Sequence, residues 1–280
     1  MVNLSLDGTT VAVHRDGSDL DPLLSPRPFL HPVTTPAGTT VTELEPDDHR
    51  HHLGFGVAVP DVSGTSFWGG RTFTPDRGSV LLDNHGRQRH VRTLDRASDH
   101  HTAVLSWTAP DGRELIAEER TLRALPLDED TWVLDVRTVL RNTSGGDLSI
   151  GSPATNGRPG AGYGGLFWRA PLGPRPPAVT GPDGLTGEES LHGARVPWLA
   201  LAGSTAEGAA WTLLLHQIGA HVDPWFLRSN QYPGAGPALA WDRRLPVPAD
   251  TTLERRLRVA VGDGHRRDLP GLAEAVTDLP

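Results

Sequence analysis

The sequence predicts an all-β protein, a large antiparallel β-sandwich with one short C-terminal helix. Three observations carry that expectation. Apolar residues alternate with a period of two in segment after segment, turn-forming sequences separate those segments, and a helical period shows only near the end of the chain. Gly 32 and Pro 25 among 280 residues are spread along the length, which suits many short strands.

In chain order, the first alternating segment is Leu53, Phe55, Val57 and Val59 against Gly54, Gly56 and Ala58. Thr102–Trp107 follows, then Leu115 through Leu122, where Glu118 and Arg120 share one face and Glu119 takes the other. In Thr131–Asn142, Trp132, Leu134, Val136, Thr138 and Leu140 fall on one side, with Asp135, Arg137 and Arg141 opposite. Ala209–Leu215 and Thr251–Val261 complete the series, the latter setting Leu253, Leu257, Val259 and Val261 against Glu254, Arg256 and Arg258. Successive side chains of a strand point to opposite faces, so this pattern describes half-buried strands. Pro110-Asp111-Gly112, Ser144-Gly145-Gly146-Asp147 and Gly181-Pro182-Asp183-Gly184 supply turns. The helix is expected over Asp268–Asp278, and Pro171–Glu189 reads as one long loop. We expect residues 1–280 to form a single sandwich domain, since such folds often reach this length.

Composition removes several chemistries. All 26 basic residues are arginine, so neither a Schiff-base lysine nor a phosphate-loop lysine exists. Cysteine is absent, which excludes thiol nucleophiles, thiolate metal sites and disulfides. A net charge of −8 with scattered arginines argues against a nucleic-acid partner. No apolar run approaches the ~20 residues of a membrane helix, and no signal peptide is visible at Met1-Val-Asn-Leu-Ser-Leu. The expected compartment is the cytoplasm, with no membrane partner; oligomeric state is not readable.

The densest chemistry lies in Asp47-Asp48-His49-Arg50-His51-His52. On extended backbone, His49 and His51 would share one face and His52 the other. Such a pair either performs acid–base work or ligates a divalent metal, the optional cofactor here, with a third ligand among His85, His90, Glu118 and Glu119. The ordinary alternative is a solvated polar turn.

Longer blocks carry a resemblance. Arg27-Pro28-Phe29-Leu30-His31-Pro32, Asp48-His49-Arg50-His51-His52-Leu53-Gly54, Ser66-Phe67-Trp68-Gly69-Gly70 and Gly157 through Arg169 resemble the bacterial family labelled PmoA or "methane oxygenase PmoA". Asp83-Asn84-His85-Gly86-Arg87-Gln88-Arg89 resembles the Asn-His-Gly-x-x-Arg turn of aldose-1-epimerases, whose histidine helps hold the sugar. Leu140-Arg141-Asn142-Thr143-Ser144 and Arg228-Ser229-Asn230-Gln231-Tyr232-Pro233 match later epimerase segments in the right order. The resemblance implies a galactose-mutarotase-like supersandwich and a sugar-like ligand. The catalytic pair departs from it. Ser152-Pro153-Ala154-Thr155-Asn156-Gly157 stands where mutarotases place their histidine, and Ser229 or Asn230 where they place the glutamate base.

The function expected is therefore an enzyme on a sugar or sugar-like metabolite, a lyase, isomerase or hydrolase. His49, His51, His52, His85, Glu118 and Glu119 are its catalytic candidates. Arg120, Asn156, Arg158, Tyr163, Trp168, Arg169, Trp225, Arg228 and Asn230 are the substrate-binding candidates. Arginine can grip carboxylates or hydroxyl pairs, and an indole can stack on a pyranose. The alternatives are a metal-dependent enzyme centred on His49 and His51, and a sugar-binding module without catalysis.

Overall fold

The structure, a computed structural model, describes residues 2–280. The first strands are β1 (Val2–Leu6), β2 (Thr9–Arg15), β3 (Phe29–Val33), β4 (Phe55–Ala58), β5 (Asp61–Val62), β6 (Thr72–Thr74) and β7 (Gly78–Val80). The central ones are β8 (Arg87–Arg96), β9 (His100–Thr108), β10 (Glu114–Asp128), β11 (Thr131–Asn142), β12 (Leu148–Gly151), β13 (Gly165–Arg169) and β14 (Ala178–Thr180). After helix α1 (Gly187–Leu191) come β15 (Trp198–Ser204), β16 (Ala210–Ile218), β17 (Trp225–Arg228), β18 (Gly234–Pro237), β19 (Leu245–Val247) and β20 (Thr252–Asp263), and helix α2 (Leu269–Asp278) ends the chain.

Two large sheets form the sandwich. One has seven strands in the order β1-β2-β3-β4-β13-β18-β17; the other has eight, β14-β15-β16-β20-β11-β10-β9-β8. Every strand pair in them is antiparallel. The expected β11 is observed residue for residue, and α2 starts one residue after its Asp268 cap, which accepts from the Gly271 amide at 2.9 Å. The expected loop at 171–189 is corrected. It contains β14, which pairs with β15 at the sheet edge, and the first residues of α1. Three strand residues are too few for alternation to show.

The core lies between the sheets. Leu30, Phe55, Val57, Trp168 and Leu227 of the seven-stranded sheet meet Leu105, Trp107, Leu122, Val136, Leu215 and Val259 of the other. Each large side chain so buried contributes roughly 1.5–3 kcal/mol. The outer face of the eight-stranded sheet is covered by α2, with Val133, Ala200, Leu214 and Ala260 under Leu272 and Val276. Buried Arg258 fixes that helix by donating to the carbonyls of Val276 (2.8 Å), Leu279 (2.8 Å) and Pro280 (2.6 Å), where the helix dipole favours a cation. Among the described residues no such helix covers the outer face of the seven-stranded sheet, where Ala58, Phe167, Phe226, Trp68, Tyr232 and Ala238 cluster.

Candidate functional site

Alternation along two neighbouring strands builds the floor of a cleft on that outer face. On β13, Leu166 and Trp168 enter the core while Phe167 and Arg169 point the other way; on β17, Trp225 and Leu227 enter and Phe226 and Arg228 do not. The cleft measures about 790 Å³, within the ~300–1,000 Å³ of small-molecule sites. His49, His51, His52, Trp68, Arg158, Tyr163, Glu188, Phe226, Arg228, Asn230 and Tyr232 line it, with Asp48 and Arg71 at the side.

The histidine segment is a turn, the ordinary alternative to the extended backbone on which His49 and His51 would share a face. His49 N donates to Pro46 O (2.9 Å) and His52 N to His49 O (2.8 Å), and Glu45 N closes the loop onto His52 O (2.9 Å). That curl brings His52 to the same side as its neighbours. The ring centroids of His49 and His52 stand 4.7 Å apart and stacked, His51 and His52 4.8 Å, His49 and His51 5.8 Å. His52 packs among Trp68, Phe167 and Tyr232. Gly70, at φ +73°, lies against His51; a Cβ there would stand 2.9 Å from its Nδ1. Space for the imidazole and the left-handed backbone both call for glycine.

Burial and positive neighbours keep His51 and His52 neutral. Desolvation first, then the charge of Arg27, lowers His51 to about 3. His52 is pushed further below the imidazole range by its burial and by His51 beside it. Arg27 is buried and gives its guanidinium only to carbonyls, Leu24 O (2.7 Å), Ser25 O (3.1 Å) and His51 O (2.6 Å). Burial also raises the Tyr163 hydroxyl to about 12 and moves Tyr232 upward.

The opposite wall is organised by α1. Glu188 Oε2 accepts from the amides of Ser229 (2.6 Å) and Asn230 (3.2 Å), and its Oε1 lies 3.4 Å from Arg228 Nη1. Burial raises this carboxyl, but the two amides and Arg228 outweigh it and hold it below its ordinary value. One turn on, His192 Nε2 donates to Gly160 O (2.8 Å), tying α1 to the segment that carries Arg158.

Several sequence candidates lie elsewhere. Trp168 and Trp225 are fully buried core residues whose indoles donate to Val41 O (2.8 Å) and Val196 O (2.7 Å); their strand neighbours Phe167 and Phe226 face the cleft instead. Glu118 and Arg120 are an ion pair inside the sandwich, away from the cleft. Glu119 pairs with Arg137 on the other face of its sheet. His85 bridges a turn, its Nε2 donating to Gly70 O at 2.7 Å, so it supports a lining residue without lining the cleft. Asn156 donates to Asp61 Oδ2 (3.3 Å) and Phe73 O (3.4 Å) outside it. Arg169 lies under the floor, with Nε on Glu43 Oε2 (2.9 Å) and its guanidinium 4.5 Å from the Tyr232 ring centre. His90 stands on β8 bonded to Thr93 (3.0 Å). The third-ligand candidates are thus dispersed. Among the described residues, no three His, Asp or Glu side chains converge to hold a metal ion.

Sequence reasoning brought His49, His51, His52, Arg158, Tyr163, Arg228 and Asn230 to the cleft. It missed Asp48, Trp68, Arg71, Glu188, Phe226 and Tyr232 as lining residues. Glu188 lies in the stretch read as loop, and no local spacing connects it to Ser229, 41 residues away.

A putative aldose 1-epimerase from Escherichia coli K12 is similar over 80% of this chain and 89% of its own, at 12% identity and a TM-score of 0.35. A heparan sulfate lyase from Pedobacter heparinus is similar over 67% of this chain at 10% identity and a TM-score of 0.31, and the match spans 23% of the lyase. No curated protein matches the sequence. Among the described residues, no helix is long and apolar enough to cross a membrane. The model of DUF6807, a family of unknown function, matches residues 1–274, and the chain belongs to that family.

Proposed function

We propose that this cleft binds a sugar or sugar-like metabolite and that His49 and His51 move protons on it, in a lyase, isomerase or hydrolase reaction. The observation that carries this reading is the convergence of three imidazoles with Trp68, Tyr163, Phe226 and Tyr232 around one concave space. Aromatic faces suit the apolar face of a sugar ring, while imidazoles and guanidinia suit its hydroxyls. Neutral imidazoles accept a proton directly, and general acid–base groups contribute typically 10²–10⁴ in rate. The resemblance to the PmoA-labelled family adds no chemistry to this reading.

The test begins with a panel of free sugars, sugar acids and sugar phosphates, followed by NMR for binding and for conversion. For whichever member is converted, His51→Ala should lower kcat by about a hundredfold while Kd changes less than about threefold. Equal loss in a variant such as Arg141→Gln, far from the cleft, or unchanged turnover in both His49→Ala and His51→Ala, would remove the histidines from the chemistry.

A sugar-binding module without catalysis is the second reading. The lowering of His51 to about 3 favours it, because so weak a base is poorly matched to neutral pH. Saturable binding of a sugar that wild-type protein never converts would select this reading.

A further inference from the structure

We propose that the ligand of this cleft carries a carboxylate, held by Arg158, so that the substrate class is a sugar acid and not a neutral sugar. This rests on the reading of the cleft as a sugar site.

Five guanidinium groups line or underlie the cleft: Arg27, Arg71, Arg158, Arg169 and Arg228. Arg169 is matched by Glu43 (2.7 Å) and Arg228 by Glu188 (3.4 Å). Asp48, the remaining lining carboxylate, lies 2.9 Å from His49 Nδ1 at the exposed rim. Arg27, Arg71 and Arg158 have no carboxylate partner among the described residues. Arg71 donates to Ser79 O (3.2 Å), and Arg27 is buried with carbonyls alone. Buried Arg169 also keeps an Nη1 without any acceptor. Arg27 is thus buried without a counter-ion, which is costly, and an anion entering the cleft offsets part of that cost.

Arg158 is placed to meet such an anion. It is exposed on the turn between Pro153 and Ala161, and its side chain makes no hydrogen bond or ion pair among the described residues. Its charge reaches both Tyr163 and Tyr232 on the cleft wall. A free guanidinium fork binds a carboxylate bidentately. A phosphate ester, with more charge and three acceptor oxygens, needs further donors. The amides of Ser229 and Asn230 are occupied by Glu188 and supply none.

The test compares matched ligands on the full chain: glucose, glucuronate and glucose 6-phosphate; galactose, galacturonate and galactose 6-phosphate. Binding is followed by titration calorimetry and by the histidine ring resonances. At least one uronate should bind ten or more times tighter than its neutral parent. Arg158→Gln should bring that ratio to within about threefold of one, with the thermal midpoint unchanged. Neutral sugars binding as well as their acids would overturn the inference and leave the sugar site standing. Tighter binding of the phosphates would overturn it in favour of a different anion. A uronate preference that survives Arg158→Gln would remove Arg158 from the role. If no member binds, the sugar site and this inference fall together.

Discussion

Glu118→Ala is expected to lower the stability of the fold by about 3–5 kcal/mol, without any ligand being involved. The carboxylate is 1% exposed, between the sheets, and four groups donate to it. Trp107 Nε1 reaches Oε2 at 2.8 Å, Arg120 Nε and Thr138 Oγ1 both reach Oε1 at 2.7 Å, and Arg120 Nη2 reaches Oε2 at 2.7 Å. Arg120 goes on to Gln88 Oε1 (2.9 Å) and Pro28 O (3.3 Å), and Gln88 Nε2 to Val57 O (2.9 Å), so the network ties the two sheets together. Truncating Glu118 leaves a guanidinium, an indole N–H and a hydroxyl inside the core without their acceptor. Against a typical total of about 5–15 kcal/mol, that loss removes a large share of the stability. Urea unfolding of the wild type, Glu118→Ala, Arg120→Met and the double variant measures it. The double variant should lose less than the sum of the singles, because it buries no unpaired charge. Additive losses, or a Glu118→Ala cost below about 1 kcal/mol, would show that the network contributes little.

The same network shows where a sequence is legible and where it is not. Period-two alternation fixes which residues of a strand share a face, and it placed Glu118 and Arg120 together correctly. It does not say which face is buried when both carry mixed residues, as in β10, so a core ion pair resembled a surface stripe or a site. The tryptophans failed for the same reason. One register of β13 holds Trp168 and the next holds Phe167 and Arg169; chemistry favoured the indole as a sugar platform, but packing sent it into the core. The histidine loop was legible as a cluster, with turn and extended backbone left open. Its convergence depends on the turn closed by Pro46, His49 and His52 backbone bonds, which no alternation encodes. Glu188 was out of reach altogether, since its partners at Ser229 and Asn230 are brought near only by the docking of α1 beside β17.

Acidification should destabilise the protein steeply from about pH 6.5 downward, before the carboxylates titrate. His14 is lowered to about 3, by desolvation first and then by Arg120 and His101; His51 is lowered to about 3 by desolvation and Arg27; His52 lies lower still. His31, at about 4, moves in the same direction through burial and Arg15. Each ring is neutral in the folded state and takes a proton near pH 6.5 once unfolded. Between the unfolded value and the folded one the unfolded chain therefore binds more protons, and stability must fall as pH falls. One such histidine gives at most about 1.4 kcal/mol per pH unit, so His14, His51 and His52 together set a ceiling of about 4 kcal/mol per unit. His100 works the other way. Its contacts with Asp99 and Asp95 raise it, so its small contribution is complete below its unfolded value and fades as pH rises through its folded one. Carboxylates held low, such as Asp61 with Arg244, lose their contribution only as pH falls below the ordinary carboxylate range, in a separate and more acidic window. Urea unfolding at intervals from pH 7.5 to 5 measures the slope, and His51→Asn and His14→Asn should each reduce it by close to one proton. A flat profile between pH 6.5 and 5 would mean that the folded chain takes up these protons as readily as the unfolded one. The rings would then have water around them, and the neutral His51–His52 pair on which the proposed chemistry draws would not exist.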